Sequence, residues 1–540
     1  MHLYFLSLQA VSRSKRVWKS GVTLFLFFLF TTSQINAQRK SITIVPSALR
    51  QIGLVDERFQ SYNIEMAEVI GGNFWKPYDK NELSKTETKP AQDNLAIAID
   101  HSNTSLYQAI PPINLYDKRL RVLAAALGPV YVRVSGTWAN TVYLMENDKD
   151  TSLPNGFNGM LSKKQWKGVI DYIKAVNGKL VTSFSVGEGV RNKEGIWTPV
   201  EAKKIINYTR AIGGDIAAAE LFNEPNVGAS GGVKGYTEEK FAKDMDVFTK
   251  FAKAAAPKMA IVGPGSVSLG APLAIKSVQV IDNEKMLSTE PKAKFDIFSY
   301  HFYGAVSQRC AAFGKTLTTA KENALSENWL SRTDTVFEVY NKLYKKYSPG
   351  KPIWLTETAD AACGGNPWAI TYLDCFRYLD QMGRLAKNGV KVIFHNTFAV
   401  SEYGMIDQNT HTPRPKYWAA LLWQKLMGTK VLDAGITIDS GVHVYAHGQK
   451  GNSGGVTLLV INNDKTQPLN INIPADGERY TLSADDLMGL TVKLNGKELQ
   501  MNERDELPEL KGEKAKSGLM EFSPATITFL VLPKGAAHKK

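Results

Sequence analysis

The stretch from Ala217 to Asn226 reads AAAELFNEPN and joins an apolar run of strand length to an abrupt stop. The run covers residues 216–223 and is mainly apolar, as expected of a strand buried on both faces of a parallel sheet. Pro225 cannot donate to a sheet ladder, so the strand ends before it and leaves Glu224 at its carboxyl end. By itself this position suits a catalytic carboxylate, a neighbour of a helix N-cap or a metal ligand.

Seven further apolar, β-branched runs have the same character: Gln60–Met66, Val130–Gly136, Lys179–Gly187, Met259–Gly265, Phe295–Tyr303, Pro352–Thr358 and Val390–Phe398. Amphipathic segments separate them, such as Thr237–Ala255, where aromatic residues recur at roughly helical spacing before Pro257. Apolar strands alternating with helices indicate a parallel sheet with helices outside, and eight repeats indicate closure. The sequence therefore predicts an α/β fold, a (β/α)8 TIM barrel.

The pattern changes after about Gly428, where short strands follow one another without helices: Val442–Ala446, Gly455–Asn462, Leu469–Ile473, Arg479–Leu482, Thr491–Leu494 and Thr526–Val531. Asn495-Gly496 is a strong two-residue hairpin signal. This part predicts a C-terminal β-sandwich. We expect a signal peptide at 1–37, a strand at 38–58 that joins the sandwich, the barrel at 59–428 and the sandwich at 429–540.

The N-terminus has the pattern of a targeting segment. Four basic residues lie between Arg13 and Lys19, residues 21–32 are apolar, and Ala37 offers a small residue for cleavage. The apolar run is shorter than the roughly 20 residues that a transmembrane helix needs. We expect export to the periplasm or the medium after cleavage near Ala37, with an uncleaved anchor as the alternative.

Composition limits the partners. The chain has 540 residues, 44% of them hydrophobic, and a formal charge of +13, which suits either polyanionic glycans or a merely solvated basic surface. No basic run is interleaved with aromatic residues, so we expect no nucleic-acid partner. The cysteines, Cys310, Cys363 and Cys375, are odd in number and lack metal spacing, although one disulfide is possible. We expect no metal and no cofactor, and the oligomeric state stays open.

A second carboxylate stands in the same position on another predicted strand. Residues 351–360 read KPIWLTETAD and end the seventh strand near Glu357. In a closed barrel the carboxyl ends of the strands face one cavity, and two carboxylates facing one bond suit glycoside hydrolysis. One must be protonated and the other ionised, and Tyr303, in the sixth run, supplies a hydroxyl donor for the ionised one.

Other residues have structural as well as functional interpretations. Glu188 suits a loop carboxylate better than a catalytic one, and Asp360 suits a structural role. Cys363 has no histidine pairing in the sequence that would indicate thiol chemistry. Trp75 and Trp197 suit sugar stacking and core packing equally.

Together these motifs resemble glycoside hydrolase family 79, the heparanase and β-glucuronidase family within the retaining clan A barrel glycosidases. Asn223-Glu224-Pro225 and Trp354-Leu-Thr-Glu357 carry the resemblance first. Further segments that resemble the family are YVRVSGT at 131–137, His301-x-Tyr303, PRPKYW at 413–418 and GTKVL at 428–432. The resemblance runs from about residue 54 to 435.

The resemblance implies roles for individual residues. Glu224 would be the general acid/base and Glu357 the nucleophile. The substrate-binding residues it implies are Glu65, Thr137, Asn223, His301, Tyr303, Gly364 and Tyr403. Among them, Gly364 and Tyr403 would bind a glucuronate carboxylate through a backbone N–H and a phenol. The turn at 362–365, ACGG, departs from heparanase, which leaves those carboxylate contacts open.

The resulting hypothesis is a retaining exo-β-glucuronidase that acts on a glucuronic-acid-containing glycan or glucuronide by double displacement. The long excursion at 76–115 is expected to wall off the cleft beyond one sugar. An endo-acting, heparanase-like enzyme on heparan-type chains is the alternative, and the basic balance mildly favours it. An inactive glycan-binding protein on the same scaffold is the alternative from a different class.

Overall fold

The computed structural model describes residues 42–79, 103–149, 151–228, 233, 235–268, 280–313 and 318–534. The predicted signal peptide and residues 80–102 of the long excursion lie outside the described residues.

The strands, in chain order, are β1 (Ile42–Thr43), β2 (Gln51–Leu54), β3 (Gln60–Glu65), β4 (Gly72–Trp75), β5 (Tyr107–Ile110), β6 (Val130–Ser135), β7 (Val142–Leu144), β8 (Gly159–Leu161), β9 (Gly178–Ser183), β10 (Ile216–Glu220), β11 (Ala260–Ser268), β12 (Ile297–Val306), β13 (Ile353–Ala362), β14 (Val392–His395), β15 (Met427–Leu432), β16 (His443–Gln449), β17 (Val456–Asn462), β18 (Leu469–Ile473), β19 (Gly477–Ser483), β20 (Lys493–Leu494), β21 (Lys497–Glu498), β22 (Glu513–Ala515), β23 (Gly518–Phe522) and β24 (Thr526–Leu532). The described α-helices are α1 (Met66–Ile70), α2 (Lys118–Ala126), α3 (Lys163–Ala175), α4 (Val200–Ala211), α5 (Glu238–Ala255), α6 (Asn283–Ser288), α7 (Glu327–Leu330), α8 (Arg332–Tyr347), α9 (Leu373–Lys387) and α10 (Pro415–Leu426).

Eight parallel strands close into a barrel in the order β3, β6, β9, β10, β11, β12, β13 and β14, and β14 pairs back with β3. These are the eight runs predicted from the sequence, so the TIM-barrel prediction is confirmed. A barrel brings the carboxyl ends of all its strands to one face, which is where the two candidate carboxylates lie.

The barrel interior is apolar near the amino ends of the strands and polar near their carboxyl ends. Its apolar layer takes side chains from different strands: Val181, Ala218, Val262, Ile297, Trp354, Val392 and Phe394. Arg133 lies two residues beyond Tyr131 on β6, and Glu220 lies two residues beyond Ala218 on β10. Both point into the barrel and are 0% and 1% exposed. Because strand side chains alternate with period two, the same strands supply both the core and the charged layer above it.

The C-terminal domain has a nine-stranded sheet and a three-stranded sheet, β1-β18-β23, packed face to face. The alternation along β17 explains its unbroken apolar sequence. Val456, Leu458 and Val460 face the small sheet, whereas Leu459 and Ile461 pack into the core shared with the barrel helices. Both faces of the large sheet are therefore buried, as in a sandwich that also covers the barrel. Near the N-terminus, β1 and β2 pair with strands of this domain.

Helix α9 lies between the barrel and the large sheet and is buried from Leu373 to Ala386. Polar contacts fix it there, since Asp380 accepts hydrogen bonds from Tyr445 (2.5 Å) and lies 2.6 Å from His443 Nδ1. Gly383 allows the close approach, because a Cβ atom at this position would lie 2.3 Å from the Tyr445 ring. Among the described residues, no helix combines the length and apolarity needed to cross a membrane.

Candidate functional site

Glu224 lies in a turn beyond the end of its strand. Strand β10 ends at Glu220, three residues before the predicted end, and Glu224 has a φ of +57°. The strand hydrogen bonds stop early because the Asn140 side chain binds the backbone of Asn223 instead. Asn140 accepts a hydrogen bond from the Asn223 N–H (3.1 Å) and donates one to the Asn223 carbonyl (3.1 Å). This paired contact holds the Asn-Glu-Pro turn against the segment that follows β6.

Glu357 lies on β13 and is 6% exposed. Its two carboxylate oxygens have different donors. The Tyr303 hydroxyl donates to Oε1 (2.5 Å), and Arg133 Nη1 donates to Oε2 (3.0 Å). Hydrogen bonds on both oxygens, one of them from a cation, therefore fix the orientation of Glu357.

The two carboxylates are close together. One oxygen of Glu224, one oxygen of Glu357 and a ring nitrogen of His301 all lie within 4.8 Å of one another. Retaining glycosidases have their carboxyl groups about 5–5.5 Å apart, whereas inverting enzymes need about 6.5–9.5 Å to admit a water. The separation therefore fits direct attack by one carboxylate. The same three side chains have metal-ligand spacing, but the Arg133 guanidinium against Glu357 opposes a second cation there.

Arg133 connects the two halves of the site, and the sequence reasoning did not single it out. Besides Glu357, its guanidinium donates from Nε to Glu220 (2.6 Å) and from Nη2 to the Asn223 side-chain oxygen (2.6 Å). A charge as deeply buried as this one requires partners, and Glu220 supplies an anion. A lone arginine inside the apolar run YVRVS was the available signal, because arginine is almost never fully buried unless paired.

His301 is fully buried, and burial lowers the pKa of its imidazole to about 4. The ring is therefore neutral near pH 7. Its Nε2 lies 3.5 Å from Arg133 Nη2, and arginine can only donate, so Nε2 accepts and Nδ1 carries the proton. Nδ1 lies 3.1 Å from Glu224 Oε1, to which it donates. His301 thus orients Glu224 and leaves the other oxygen of that carboxyl group available.

Burial raises the pKa of Glu224 to about 7, with the Arg133 charge acting against this shift and the Glu220 charge adding to it. A carboxyl group with this pKa is about half protonated at neutral pH and largely protonated below it. It can donate a proton to a leaving group and, once ionised, can take one from water. Glu224 can therefore act as the proton donor of an acid-assisted displacement, and Glu357, with a donor on each oxygen, is placed as the attacking group.

Glu65 ends β3 and is buried beside this pair. Burial raises the pKa of its carboxyl group, and the nearby Glu357 charge raises it further. Its Oε2 atom has no hydrogen-bond partner among the described residues. Gly136 leaves room for that oxygen, since a Cβ atom there would lie 1.6 Å from it. The arrangement leaves a buried carboxyl oxygen free for a ligand hydroxyl.

Gly364 and Tyr403 lie beside the same strand ends. Gly364 has a φ of +81°, and a Cβ atom there would lie 2.7 Å from both Ser401 Oγ and Trp75 Cβ, so the position requires glycine. Tyr403 is 3% exposed and packs in one cluster with Tyr303. Thr137 is half-buried at the start of a short 3-10 helix, Thr137–Thr141, after β6.

A strap, which we define as residues 72–79, crosses the rim next to Gly364. Its Phe74 is fully buried. The Tyr78 N–H donates to Glu402 Oε1 (2.8 Å), and Arg309 Nη2 donates to Glu402 Oε2 (2.8 Å). Arg309 also lies 3.9 Å from the centre of the Tyr78 ring. The strap is thereby fastened to the loops that follow β12 and β14.

Cys310 and Cys363 form a disulfide that joins the loop after β12 to the turn after β13. Cys375 is buried and free. The turn that carries Gly364 is therefore held covalently as well as by packing.

The remaining candidates fall outside the site. Trp197 is 1% exposed and packs against Phe248, so it belongs to the core. Glu188 is exposed in a short 3-10 helix after β9. Asp360 is fully buried and accepts a hydrogen bond from the Asn366 N–H (2.9 Å), which shapes the turn after β13.

Comparison with known proteins identifies related chains. The model of the family described as "Glycosyl hydrolase family 79, N-terminal domain" matches residues 55–383. Heparanase-like protein 1 of Arabidopsis thaliana is 24% identical over 96% of this chain and 98% of its own length. Baicalin-β-D-glucuronidase of Scutellaria baicalensis is 31% identical, over 37% of this chain and 40% of its own length.

Among solved structures, a 4-O-α-L-rhamnosyl-β-D-glucuronidase from Fusarium oxysporum 12S matches with a TM-score of 0.58. It is 13% identical, and the match covers 91% of this chain and 99% of that one. At this identity the likeness shows the fold.

Proposed function

Because this chain belongs to glycosyl hydrolase family 79, as a glucuronidase- or heparanase-like glycoside hydrolase, we propose that it releases terminal β-linked glucuronic acid with retention of configuration. One observation carries the proposal. Glu224, whose pKa is raised to about 7, and Glu357, which accepts a hydrogen bond on each oxygen, have carboxylate oxygens within 4.8 Å of each other.

In the first step, an oxygen of Glu357 attacks the anomeric carbon and forms a glycosyl ester. The bond from that carbon to the leaving oxygen breaks, and Glu224 gives its proton to that oxygen. Tyr303 and Arg133 hold Glu357 by its two oxygens, which fixes the direction of attack.

In the second step, Glu224 is ionised and takes a proton from water. The water oxygen bonds to the anomeric carbon, and Glu357 leaves as a carboxylate. Arg133 and Tyr303 then stabilise the charge that returns to Glu357. Two inversions at one carbon give net retention.

A glucuronate glycone is supported by the surroundings of Gly364 and Tyr403. In family 79, the residues at these positions bind the sugar carboxylate. Baicalin-β-D-glucuronidase and the rhamnosyl-β-D-glucuronidase act, by their names, on β-D-glucuronides. Glu65, which has a buried oxygen without a partner among the described residues, is the proposed hydrogen-bonding partner of a ring hydroxyl.

Exo action is supported by the strap. In glucuronic acid, C4 neighbours the carbon that bears the carboxylate, and C1 lies across the ring. A longer chain would continue from O4, close to the carboxylate contacts. The strap lies there, with Trp75 against Gly364 and Tyr78 bonded to Glu402, the residue before Tyr403. A wall at this end leaves room for one terminal sugar.

Endo action on heparan-type chains is the second candidate. The formal charge favours it, since the chain has +13 and removal of the four basic residues in 1–37 leaves it strongly basic, as does the alignment with heparanase-like protein 1 over nearly the whole chain. Sulfated chains would require basic residues along an open cleft.

Export is also part of the proposal. The predicted signal peptide, residues 1–37, precedes the described chain, and disulfides such as Cys310–Cys363 persist in oxidising compartments. Mass spectrometry of the protein from its native host should give a mature chain that begins at Gln38. A retained leader would instead indicate a tether.

The test of the function is release of 4-nitrophenol from 4-nitrophenyl β-D-glucuronide, with the β-D-glucoside as control and Glu357→Gln as the blank. Selective turnover of the glucuronide that is lost in the variant is the expected result. No turnover by a protein that shortens heparan sulfate would move the assignment to endo action. Inactivity on both would overturn the enzyme assignment in favour of a glycan-binding protein.

A further inference from the structure

We propose that Arg414 and Lys416 determine selectivity for an acidic sugar by holding the loop 401–404, which carries Tyr403. They are positioning residues, because they act through the loop. This inference rests on the proposed function and concerns the same site. Both residues belong to the PRPKYW segment at 413–418, to which the mechanism above gives no role.

Side-chain cations bind the carbonyl groups of four consecutive residues. Arg414 Nη1 donates to the carbonyls of Ser401 (2.6 Å), Glu402 (3.0 Å) and Gly404 (3.3 Å). Lys416 Nζ donates to the remaining carbonyl, that of Tyr403 (3.0 Å). One guanidinium and one ammonium thus reach all four carbonyl groups, and His395 Nε2 adds a second contact to that of Tyr403 (2.7 Å).

The loop needs these donors because its residues are buried outside any strand or helix. Buried carbonyl groups without a ladder must find other partners, and hydrogen bonds from charged donors are the strongest available. Ser401 adds to the requirement, because its φ of +69° is unfavourable for a residue other than glycine. The preferred backbone of this segment alone would not give the observed conformation.

The loop also holds Gly364, the other candidate for binding the sugar carboxylate. Ser401 Oγ donates to the Gly364 carbonyl (2.8 Å), and the Glu402 N–H donates to the same oxygen (3.2 Å). A shift of the loop would therefore displace Tyr403 and Gly364 together. Glu224 and Glu357 are held by other contacts, through His301, Arg133 and Tyr303, and would stay in place.

The burial of Lys416 argues for this positional role. Its side chain is 1% exposed, and burial lowers the pKa of the ammonium group, while Asp374 acts in the opposite direction (2.7 Å). Burying a charged pair costs more than packing apolar residues of the same volume. The Tyr403 carbonyl is the neutral group that this ammonium binds.

The test compares Lys416→Met with Lys425→Met, a change at an exposed position of the same helix, α10. In the first variant Asp374 keeps two hydrogen bonds from Arg377 (2.6 and 3.0 Å), so no anion is left unpaired. Both variants are assayed on 4-nitrophenyl β-D-glucuronide and on the β-D-xyloside, which lacks C6 and its carboxylate, at high enzyme concentration.

We expect Lys416→Met to lower kcat/KM for the glucuronide about 10- to 100-fold, mainly through KM, and to leave the xyloside rate unchanged. Lys425→Met should match the wild type on both substrates. Equal losses on both substrates, or an unchanged glucuronide rate, would overturn the inference.

Arg414→Lys is the second variant, since it keeps the charge but cannot supply the same three-way contact. If Lys416→Met shows no cooperative thermal unfolding and is therefore not folded, Arg414→Lys provides the test, through the ratio of its kcat/KM values for the glucuronide and the xyloside. A wild-type protein that prefers the xyloside would refute the proposed function itself. A glucuronide-selective wild type with equally selective variants would refute the positioning role alone.

Discussion

Replacing Arg133 by methionine should disable the site while preserving both carboxylates. Two of its hydrogen bonds hold groups with proposed roles, one to Glu357 (3.0 Å) and one to Asn223 (2.6 Å). Hydrogen bonds with a charged partner contribute about 1.5–3 kcal/mol each, so the two together amount to roughly 3–6 kcal/mol. We therefore expect kcat/KM for 4-nitrophenyl β-D-glucuronide to fall about 10²- to 10⁴-fold.

The same change should shift the pH profile in a defined direction. Burial raises the pKa of Glu224 to about 7, and the Arg133 charge keeps it from rising further. Without that charge, the alkaline limb of kcat/KM should move above pH 7. Glu220 acts in the opposite sense, so adding Glu220→Gln should bring the limb back toward its wild-type position.

The double variant also separates activity from stability. Arg133→Met leaves the buried Glu220 without its cation, which we expect to cost about 3–5 kcal/mol of unfolding free energy. Adding Glu220→Gln should recover much of the thermal stability, but not the activity. A single variant with wild-type kcat/KM, or an alkaline limb that stays in place, would refute the role given to Arg133.

Three other predictions concern the pH dependence, the disulfide and the interface between the domains. In the wild type, kcat/KM should fall above about pH 7, because Glu224 must be protonated to donate; a profile that rises through pH 8 would contradict this assignment. Replacing Cys310 and Cys363 by serine removes a cross-link between residues 53 positions apart and should lower the unfolding free energy by about 4 kcal/mol. Denaturant unfolding under oxidising conditions measures this change, and unchanged stability would show that the disulfide does not constrain the chain. At Asp380, burial acts to raise the carboxyl pKa, but His443 and its other partners lower the pKa from 3.8 to about 2. The ionised carboxylate therefore stabilises the folded protein by about 2.5 kcal/mol above pH 4, and this contribution is lost as the pH falls through 2. Asp380→Asn should therefore lower Tm at pH 6 and flatten the fall of Tm between pH 4 and 2, and an unchanged slope would exclude this contribution.

The barrel could be predicted from the sequence because its strands are buried on both faces. Each strand therefore appears as an apolar run, and Pro225 marks where one of them stops. Glu224 follows from the same logic, since a carboxylate directly after an apolar run is unusual. Glu357 was predicted at the end of its strand, but it lies within β13, which continues to Ala362. The precise end of β10 did not follow, because the Asn140 side chain replaces the ladder there.

The partners of Arg133 were beyond prediction for a related reason, although its place in an apolar run indicated a buried, paired arginine. Its guanidinium binds residues that are 87, 90 and 224 positions away, and such distant contacts have no local signature. The loop 401–404 is similar, since its conformation depends on cations that follow it in the chain. The strap depends on Arg309 and Glu402, which approach it only in the folded chain.

The stereochemistry of the released sugar tests the central claim most directly. Proton NMR, recorded as the enzyme hydrolyses 4-nitrophenyl β-D-glucuronide, distinguishes the first anomer formed from the one that appears later by mutarotation. The close pair of Glu224 and Glu357 predicts that β-glucuronic acid forms first. The α anomer as the first product would contradict a nucleophilic Glu357 and the double displacement.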